Sequence, residues 1–381
     1  MKIAFSIFKY YPFGGLERDF LRIAKACHQR GHQIIVYTMQ WQGDIPQEFH
    51  VRLINIKNFS NHKKGLHFAA ALPHYIQQDN PDIVVGFNRT PHLDIYFAGD
   101  PCYQAQAIQK HGHWYQFLPR YRAYASLEKA VFSKMAHTEI LLLTPRAQSD
   151  FIHYYQTPVE RFHLMPPGVA PDRIFPDNHT QLRSELRTEF NISDHQYLLL
   201  MIGSDFKRKG VDRALKALAS LPTTVRQQVK LFIIGNGQAK PLLKLTQQLD
   251  IQNNVSFLGG RQDVMRFLVG ADLLIHPAYQ ETAGMVLLEA LVARLPVLVT
   301  ANCGYAPYIE NARAGLLVDE PFAQQDLNRN LQQMLDKQQL QQYQINASAY
   351  VNNNDLFSLT NRVADFIEQA HKRKMEQNTH D

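Results

Sequence analysis

Pro277-Ala278-Tyr279-Gln280-Glu281-Thr282-Ala283-Gly284-Met285-Val286-Leu287-Leu288-Glu289-Ala290 holds two carboxylates eight residues apart, with a small Ala-Gly step between them. Asp272-Leu273-Leu274-Ile275-His276, just before it, is an apolar run of strand length. This order predicts a buried strand, a loop bearing Glu281, and a helix bearing Glu289 about two turns in. The amides of Thr282, Ala283, Gly284, Met285 and Val286 then face out from a helix N-terminus, where a phosphate binds readily. Glu289 is placed to accept hydrogen bonds from hydroxyls, as an acidic residue does on a ribose. The plainer reading is an ordinary helix with one capping and one exposed glutamate. Leu295-Pro296-Val297 follows and leads into a further strand.

Outward from this segment the same alternation extends in both directions. Strand-like runs stand at 2–8, 34–39, 51–56, 82–87, 95–98 and 139–143, with a helical run at 16–30 that ends at Gly31, a C-cap signal. Pro166-Pro167-Gly168-Val169-Ala170-Pro171 reads as a linker. The pattern then restarts with strands at 197–202, 230–234, 255–258, 272–276 and 297–300, separated by helices. Two successive βα series predict two doubly wound parallel sheets with helices on both faces. The natural ligand site of such an α/β chain is at the carboxyl ends of the strands, in a cleft between domains. Residues 322–371 read as helical and polar, and 372–381 as a frayed tail.

A length of 381 residues allows two or three domains, each with its own core. No apolar run reaches transmembrane length. Met1-Lys2-Ile3-Ala4-Phe5 enters a strand directly, without a signal-peptide pattern. Cys27, Cys102 and Cys303 are scattered and show no metal-ligand spacing, which fits reduced thiols in a cytoplasmic protein. A net charge of +6 fits an anionic partner, either a phosphate compound or a membrane surface. No nucleic-acid motif is present, so no nucleic-acid partner is expected.

Three loops carry further signals. Tyr11-Pro12-Phe13-Gly14-Gly15-Leu16 lies between the first strand and the first helix, where paired glycines let a ligand approach the backbone and the helix N-terminus favours negative charge. Gly203-Ser204-Asp205-Phe206-Lys207-Arg208-Lys209-Gly210 sets three adjacent cations before a helix, enough to neutralise a diphosphate. Gly235-Asn236-Gly237 opens a dinucleotide fingerprint, but Lys240 stands where its third glycine belongs, which counts against an oxidoreductase.

The two-glutamate segment in its strand–loop–helix setting resembles the Glu-x7-Glu signature of retaining glycosyltransferases of family 4, and the resemblance covers nearly the whole chain. It implies the GT-B fold, with two Rossmann-like domains facing a cleft: 1–168 on the acceptor side, 169–355 binding the sugar nucleotide, and a helix at 356–371 crossing back to the first domain. The blocks from Lys9 to Leu16, Gly203 to Phe206 with Arg208 to Arg213, and His276 to Glu281 look like those of the members that glucosylate lipopolysaccharide core, with Lys207 an extra cation. The implied activity is transfer of a hexose, expected to be glucose, from a UDP-sugar to the inner-core heptose, at the cytoplasmic face of the inner membrane.

By the same resemblance Glu281 contacts the donor sugar, Glu289 holds the ribose, and Arg208 and Lys209 stabilise the departing diphosphate. Gly15 and Arg173 assist at the phosphates, and Asp19 faces the acceptor side. Asp100 stands where many members carry a histidine that touches the donor sugar, with Asp94 as the weaker alternative. No Asp-x-Asp pair is present, and GT-B enzymes rely on side-chain cations and helix dipoles, so neither a metal nor another cofactor is expected. Two departures stand out: Ala283 replaces a common aromatic, and Arg294 replaces a common glycine.

Residues 104–134 interleave aromatic and basic side chains, among them Lys110, Trp114, Arg120 and Arg122, against one acid, Glu128. That mixture suits the headgroup level of an anionic membrane, and the resemblance gives it a membrane-contacting role. Its plainer reading is a helical excursion packed on the first sheet. Two other functions share the pattern as a whole. A UDP-sugar epimerase of the same fold would need no acceptor and no membrane segment. A non-catalytic nucleotide-sugar-binding protein would have no need of both glutamates and both cations.

Overall fold

The computed structural model describes residues 1–12, 14–57 and 60–378. Phe13 of the paired-glycine loop and residues 379–381 of the expected tail lie outside the described residues. The chain divides into two units, Met1–Gly168 with Ser358–Asp381, and Val169–Phe357.

The strands of the first unit are β1 (Lys2–Ser6), β2 (Lys9–Tyr10), β3 (Gln33–Thr38), β4 (Gln40–Trp41), β5 (Phe49–Leu53), β6 (Ile83–Gly86), β7 (Ile95–Ala98), β8 (Glu139–Leu142) and β9 (Phe162–Leu164). Seven of them form one parallel sheet in the order β5-β3-β1-β6-β7-β8-β9, and β2 pairs with β4 beside it. The central strands β6 and β7 are buried at every position, as a sheet covered on both faces requires. Helix Gly15–Gln29 packs on the sheet through Phe20, Ile23, Ala24 and Cys27, a stripe at helical spacing. Burial pushes the thiols of Cys27 and Cys102 up to about 12, so both stay protonated, and Cys102 Sγ donates to Glu128 at 3.7 Å.

The second unit contains β10 (Tyr197–Ile202), β11 (Val229–Ile234), β12 (Val255–Gly259), β13 (Leu273–His276), β14 (Val297–Thr300) and β15 (Gly315–Val318). They form a parallel sheet in the order β12-β11-β10-β13-β14-β15. Helix Val211–Ala219 covers it with Val211, Ala214, Leu215 and Leu218. Strands β9 and β15 have no counterpart among the sequence expectations: both are sheet-edge strands, β9 being three residues of mixed polarity with none buried and β15 a mostly half-buried run that opens on glycine.

The last helix, Leu359–Asn378, belongs to the first unit and runs through residues expected as a frayed tail. Its charges explain the extension. Arg30 meets Asp365 at 2.7 Å and His32 meets Glu368 at 2.8 Å. Near the far end Lys374 reaches Asp94 at 2.8 Å and the Asp82 carbonyl at 3.2 Å.

Candidate active site

In the second unit the strand order reverses between β10 and β13. Loops leaving two such neighbouring strands diverge at their carboxyl ends, which is where an open parallel sheet makes a ligand crevice. Residues 203–210 follow β10 and residues 277–284 follow β13. The loops are bound together directly. The Tyr279 amide donates to the Arg208 carbonyl at 2.8 Å, and Arg213 donates to the carbonyls of Pro277 and Ala278 at 3.3 and 3.1 Å. The Arg213 guanidinium also lies 3.6 Å from the ring centroids of both Tyr279 and Phe322. Gly210 sits at φ +73°, and a Cβ there would overlap the Pro277 carbonyl oxygen. Gly235 passes so close to the Gly203 carbonyl that a side chain would collide with it. The glycines of Gly235-Asn236-Gly237 therefore serve loop packing. Asn236 accepts there from the Gly260 amide at 2.8 Å.

Three nitrogens converge on one oxygen, Oε2 of Glu281. Lys209 Nζ is in direct contact, Arg208 Nη1 lies at 3.0 Å, and His276 Nε2 at 3.7 Å. The Glu281 side chain is only 11% exposed. Burial alone would raise its pKa, but the neighbouring His276, Lys209 and Arg208 outweigh it and hold the carboxyl far below the usual range. Burial lowers the His276 pKa, opposed by the Glu281 carboxylate beside it. Backbone contacts on the other side pin the Glu281 loop. Gly304 donates to the Glu281 carbonyl at 3.2 Å, Tyr305 to that of Ala283 at 2.8 Å, and Thr300 Oγ1 to that of Ala278 at 3.0 Å.

Gly284 caps helix Met285–Val292, with Ala283 and Met285 half-buried at its start and Val286 buried. Glu289 lies one turn into this helix, where the sequence placed it at two. It is buried, and Arg173 Nε stands 3.5 Å from its Oε1. Arg173 and Glu289, read separately as phosphate and ribose ligands, are thus neighbours, and each supplies the opposite charge that the other needs when buried. Arg294 occupies φ +56°, the left-handed region, which accounts for the glycine common there in the resembled family. Its guanidinium rests 4.1 Å from the Phe175 ring centroid. Lys207 is exposed.

Gly15, Asp19 and Asp100 belong to the first unit. Gly15 begins the first helix and is exposed. Asp19 lies in the second turn, buried, with Arg22 Nη1 at 3.7 Å. Asp100 is exposed in the loop after β7, and its carbonyl accepts from Arg89 at 3.1 Å. Asp94 stands just before β7, at the amino ends of the strands, away from Asp100; it accepts from the Val84 amide at 2.7 Å and from Lys374. The sequence reading passed over Glu17. Its carboxylate folds over Gly14, and burial raises its pKa, aided by the Asp100 charge and opposed by a hydrogen bond from Tyr11. An acid three residues past the glycine cap was the available signal.

The basic-aromatic excursion comprises helix Tyr103–His111, a 3-10 turn at His113–Phe117 and helix Pro119–Phe132. Lys110, Arg120 and Arg122 are exposed, as are Trp114 at 62% and Phe117 at 74%. Its one acid, Glu128, is fully buried. It pairs with Arg89 at 3.0 Å and accepts from the Tyr103 and Gln104 amides at 2.8 and 3.0 Å and from the Tyr155 hydroxyl at 2.6 Å. Glu128 therefore caps helix Tyr103–His111 from inside, and the exposed charges of the excursion are basic. Among the described residues no helix is long and apolar enough to cross a membrane.

Two parallel sheets, with acid and cations at the switch point of the second, define a sugar-nucleotide transferase architecture, and family comparison agrees. The glycosyl transferases group 1 model matches residues 183–350 and the glycosyltransferase family 4 model residues 13–173. The chain belongs to glycosyltransferase family 4, with the GT-B fold. It is 44% identical over 368 residues to the lipopolysaccharide glucosyltransferase WaaG of Escherichia coli (strain K12), covering 96% of this chain and 98% of that one. A crystal structure of WaaG, a glycosyltransferase involved in lipopolysaccharide biosynthesis, superposes with a TM-score of 0.91 at 43% identity over 96% of this chain and 99% of that one. Anabaena HepE, solved with UDP and glucose, gives 0.74 at 20% identity over 97% of this chain and 100% of that one, a likeness of fold alone.

Proposed function

We propose that this protein is a retaining glycosyltransferase that moves glucose from UDP-glucose to the inner-core heptose of lipopolysaccharide. The observation that carries the substrates is the 44% identity to a lipopolysaccharide glucosyltransferase along 96% of this chain. The chemistry follows from the switch-point cluster. Arg208 and Lys209 leave Glu281 for the diphosphate, where negative charge builds as the glycosidic bond breaks. Preorganised donors of this kind are worth about 3 kcal/mol each in comparable sites. Amides at the start of helix Met285–Val292 add to that field. Glu281, freed from its cations, orients the sugar hydroxyls, and Glu289 takes the ribose. Gly15 brings backbone to the donor phosphate, Asp100 borders the sugar and Asp19 the acceptor. These charges perform the role a divalent ion has elsewhere, so the reaction proceeds in EDTA.

We also place the protein on the anionic cytoplasmic face of the inner membrane through Lys110, Trp114, Arg120 and Arg122. Supporting this are their exposure and the burial of Glu128, which leaves a basic, aromatic surface. Replacing Lys110, Arg120 and Arg122 together with serine releases the protein from anionic vesicles, and unchanged binding would remove the assignment.

The deciding experiment measures UDP release from a panel of UDP-sugars, with and without heptose-containing core lipopolysaccharide, in EDTA. Acceptor-dependent release from UDP-glucose alone is the expected result. Donor turnover without acceptor would point to an epimerase, and mass analysis of the donor pool would show it.

A further inference from the structure

His276 closes β13 in a setting that no apolar residue would make unusual: Leu273, Leu274 and Ile275 before it are all fully buried, and so is His276. An imidazole in that position carries two polar nitrogens into the core. Neither has a hydrogen-bond partner among the described residues. Oε2 of Glu281 lies 3.7 Å from its Nε2, too long for a hydrogen bond and within a side-chain adjustment of becoming one. Buried polar groups almost always find partners, and one left without them at a site calls for an explanation in the chemistry of that site.

The three nitrogens around Oε2 supply that state. Two belong to Lys209 and Arg208, cations on the neighbouring loop, and the third to an imidazole at the end of a sheet strand. We propose that His276 is a positioning residue for Glu281: when a UDP-sugar draws Lys209 and Arg208 onto its diphosphate, the His276 Nε2–H becomes the donor that holds the Glu281 carboxylate toward the sugar. This rests on the assignment of Arg208 and Lys209 to the diphosphate. The sugar hydroxyls meet the carboxylate on its open side, and a carboxylate this deeply buried that loses both cations gains from a further donor on its protein side. Neutral imidazole meets the need without a second fixed positive charge beside the two cations, and its sheet position sets the direction of the bond.

Turnover of UDP-glucose with core lipopolysaccharide by the unaltered enzyme first establishes the underlying reading. Against that reference, His276→Phe lowers kcat roughly tenfold to a hundredfold, with little change in the KM for donor, because Glu281 is misdirected rather than removed. His276→Gln, which keeps an amide donor near the Nε2 position, restores most of the loss. Equal loss in both variants, or full activity in His276→Phe, overturns the proposal. Nitrogen-15 NMR of the unaltered protein tests it without any substitution. The Nε2–H tautomer of His276 is expected, with its resonance moving to a hydrogen-bonded shift on saturation with UDP-glucose. An Nδ1–H tautomer, or a signal indifferent to the donor, overturns it even where the variants fail to fold.

Discussion

Lys209 and Glu281 stand 72 residues apart in the chain and meet in a direct ion pair at the carboxyl ends of two adjacent strands. Each side chain is about nine-tenths buried. On the proposed assignment this carboxylate orients the donor sugar while its two cations meet the diphosphate. Glu281→Gln therefore abolishes transfer, by at least about 100-fold, and leaves UDP affinity nearly intact, because the cations remain. Calorimetric titration with UDP beside a UDP-release assay checks both halves. Transfer surviving the substitution would take Glu281 out of the site.

In the proposed reaction, removal of either cation acts on the leaving group. Lys209→Ala and Arg208→Ala each lower kcat by roughly 100- to 1,000-fold, the loss typical of one preorganised donor facing developing negative charge. The kinetics of UDP release give the number directly. Lys207→Ala, an exposed neighbour, serves as the control and stays near the unaltered rate.

Two carboxyls make stability depend on pH with opposite signs. The Glu281 pKa is depressed in the fold, so its contribution is complete above the unfolded value of about 4.3 and is lost as pH falls toward the folded one. Glu281→Gln flattens the acid side of the stability curve between about pH 5 and pH 3. The Glu17 pKa is raised, chiefly by burial, so its contribution is complete below about 4.3 and is lost as pH rises through the folded value. Glu17→Gln is expected to gain stability over the unaltered protein as pH climbs toward 7, with the difference vanishing near pH 4. Urea unfolding at a series of pH values separates the two.

Gly15 of the first unit and Gly210 of the second differ in what they protect. Gly210→Ala costs roughly 1–3 kcal/mol of stability or more, since a side chain there meets both a positive φ and the Pro277 carbonyl. Gly15→Ala meets no atom within 4 Å and leaves stability within about 0.5 kcal/mol. A fall in transfer by Gly15→Ala at unchanged Tm therefore reads ligand approach to that backbone. Thermal melts and donor kinetics on both variants make the comparison.

The fold was legible because its signals are local. Apolar runs of four to six residues, glycine after helices and a Pro-Gly linker each report on a few neighbouring residues. Interior strands such as β6, β7 and β13 were found this way, whereas the short edge strands β9 and β15 were not. Within the site, Glu281, Arg208 and Lys209 were conspicuous as charges beside glycines. His276 was not, since a single histidine ending an apolar strand reads as core. Glu17 was passed over beside Gly14 and Gly15, and Glu128 read only as the lone acid of a basic region.

From composition and order alone, this chain is committed to two βα series and to loops of defined chemistry, because secondary structure and turn preference depend on short-range sterics and hydrogen bonding. Which loops become neighbours depends on the crossover that puts β10 beside β13, with seventy residues of chain between them. That adjacency sets Lys209 against Glu281. Packing likewise pairs Arg173 with Glu289, buries Glu128 beneath a basic surface and leaves His276 without a hydrogen bond. Burial and the partners of buried charges are properties of the assembled sheet, and no local stretch of sequence contains them.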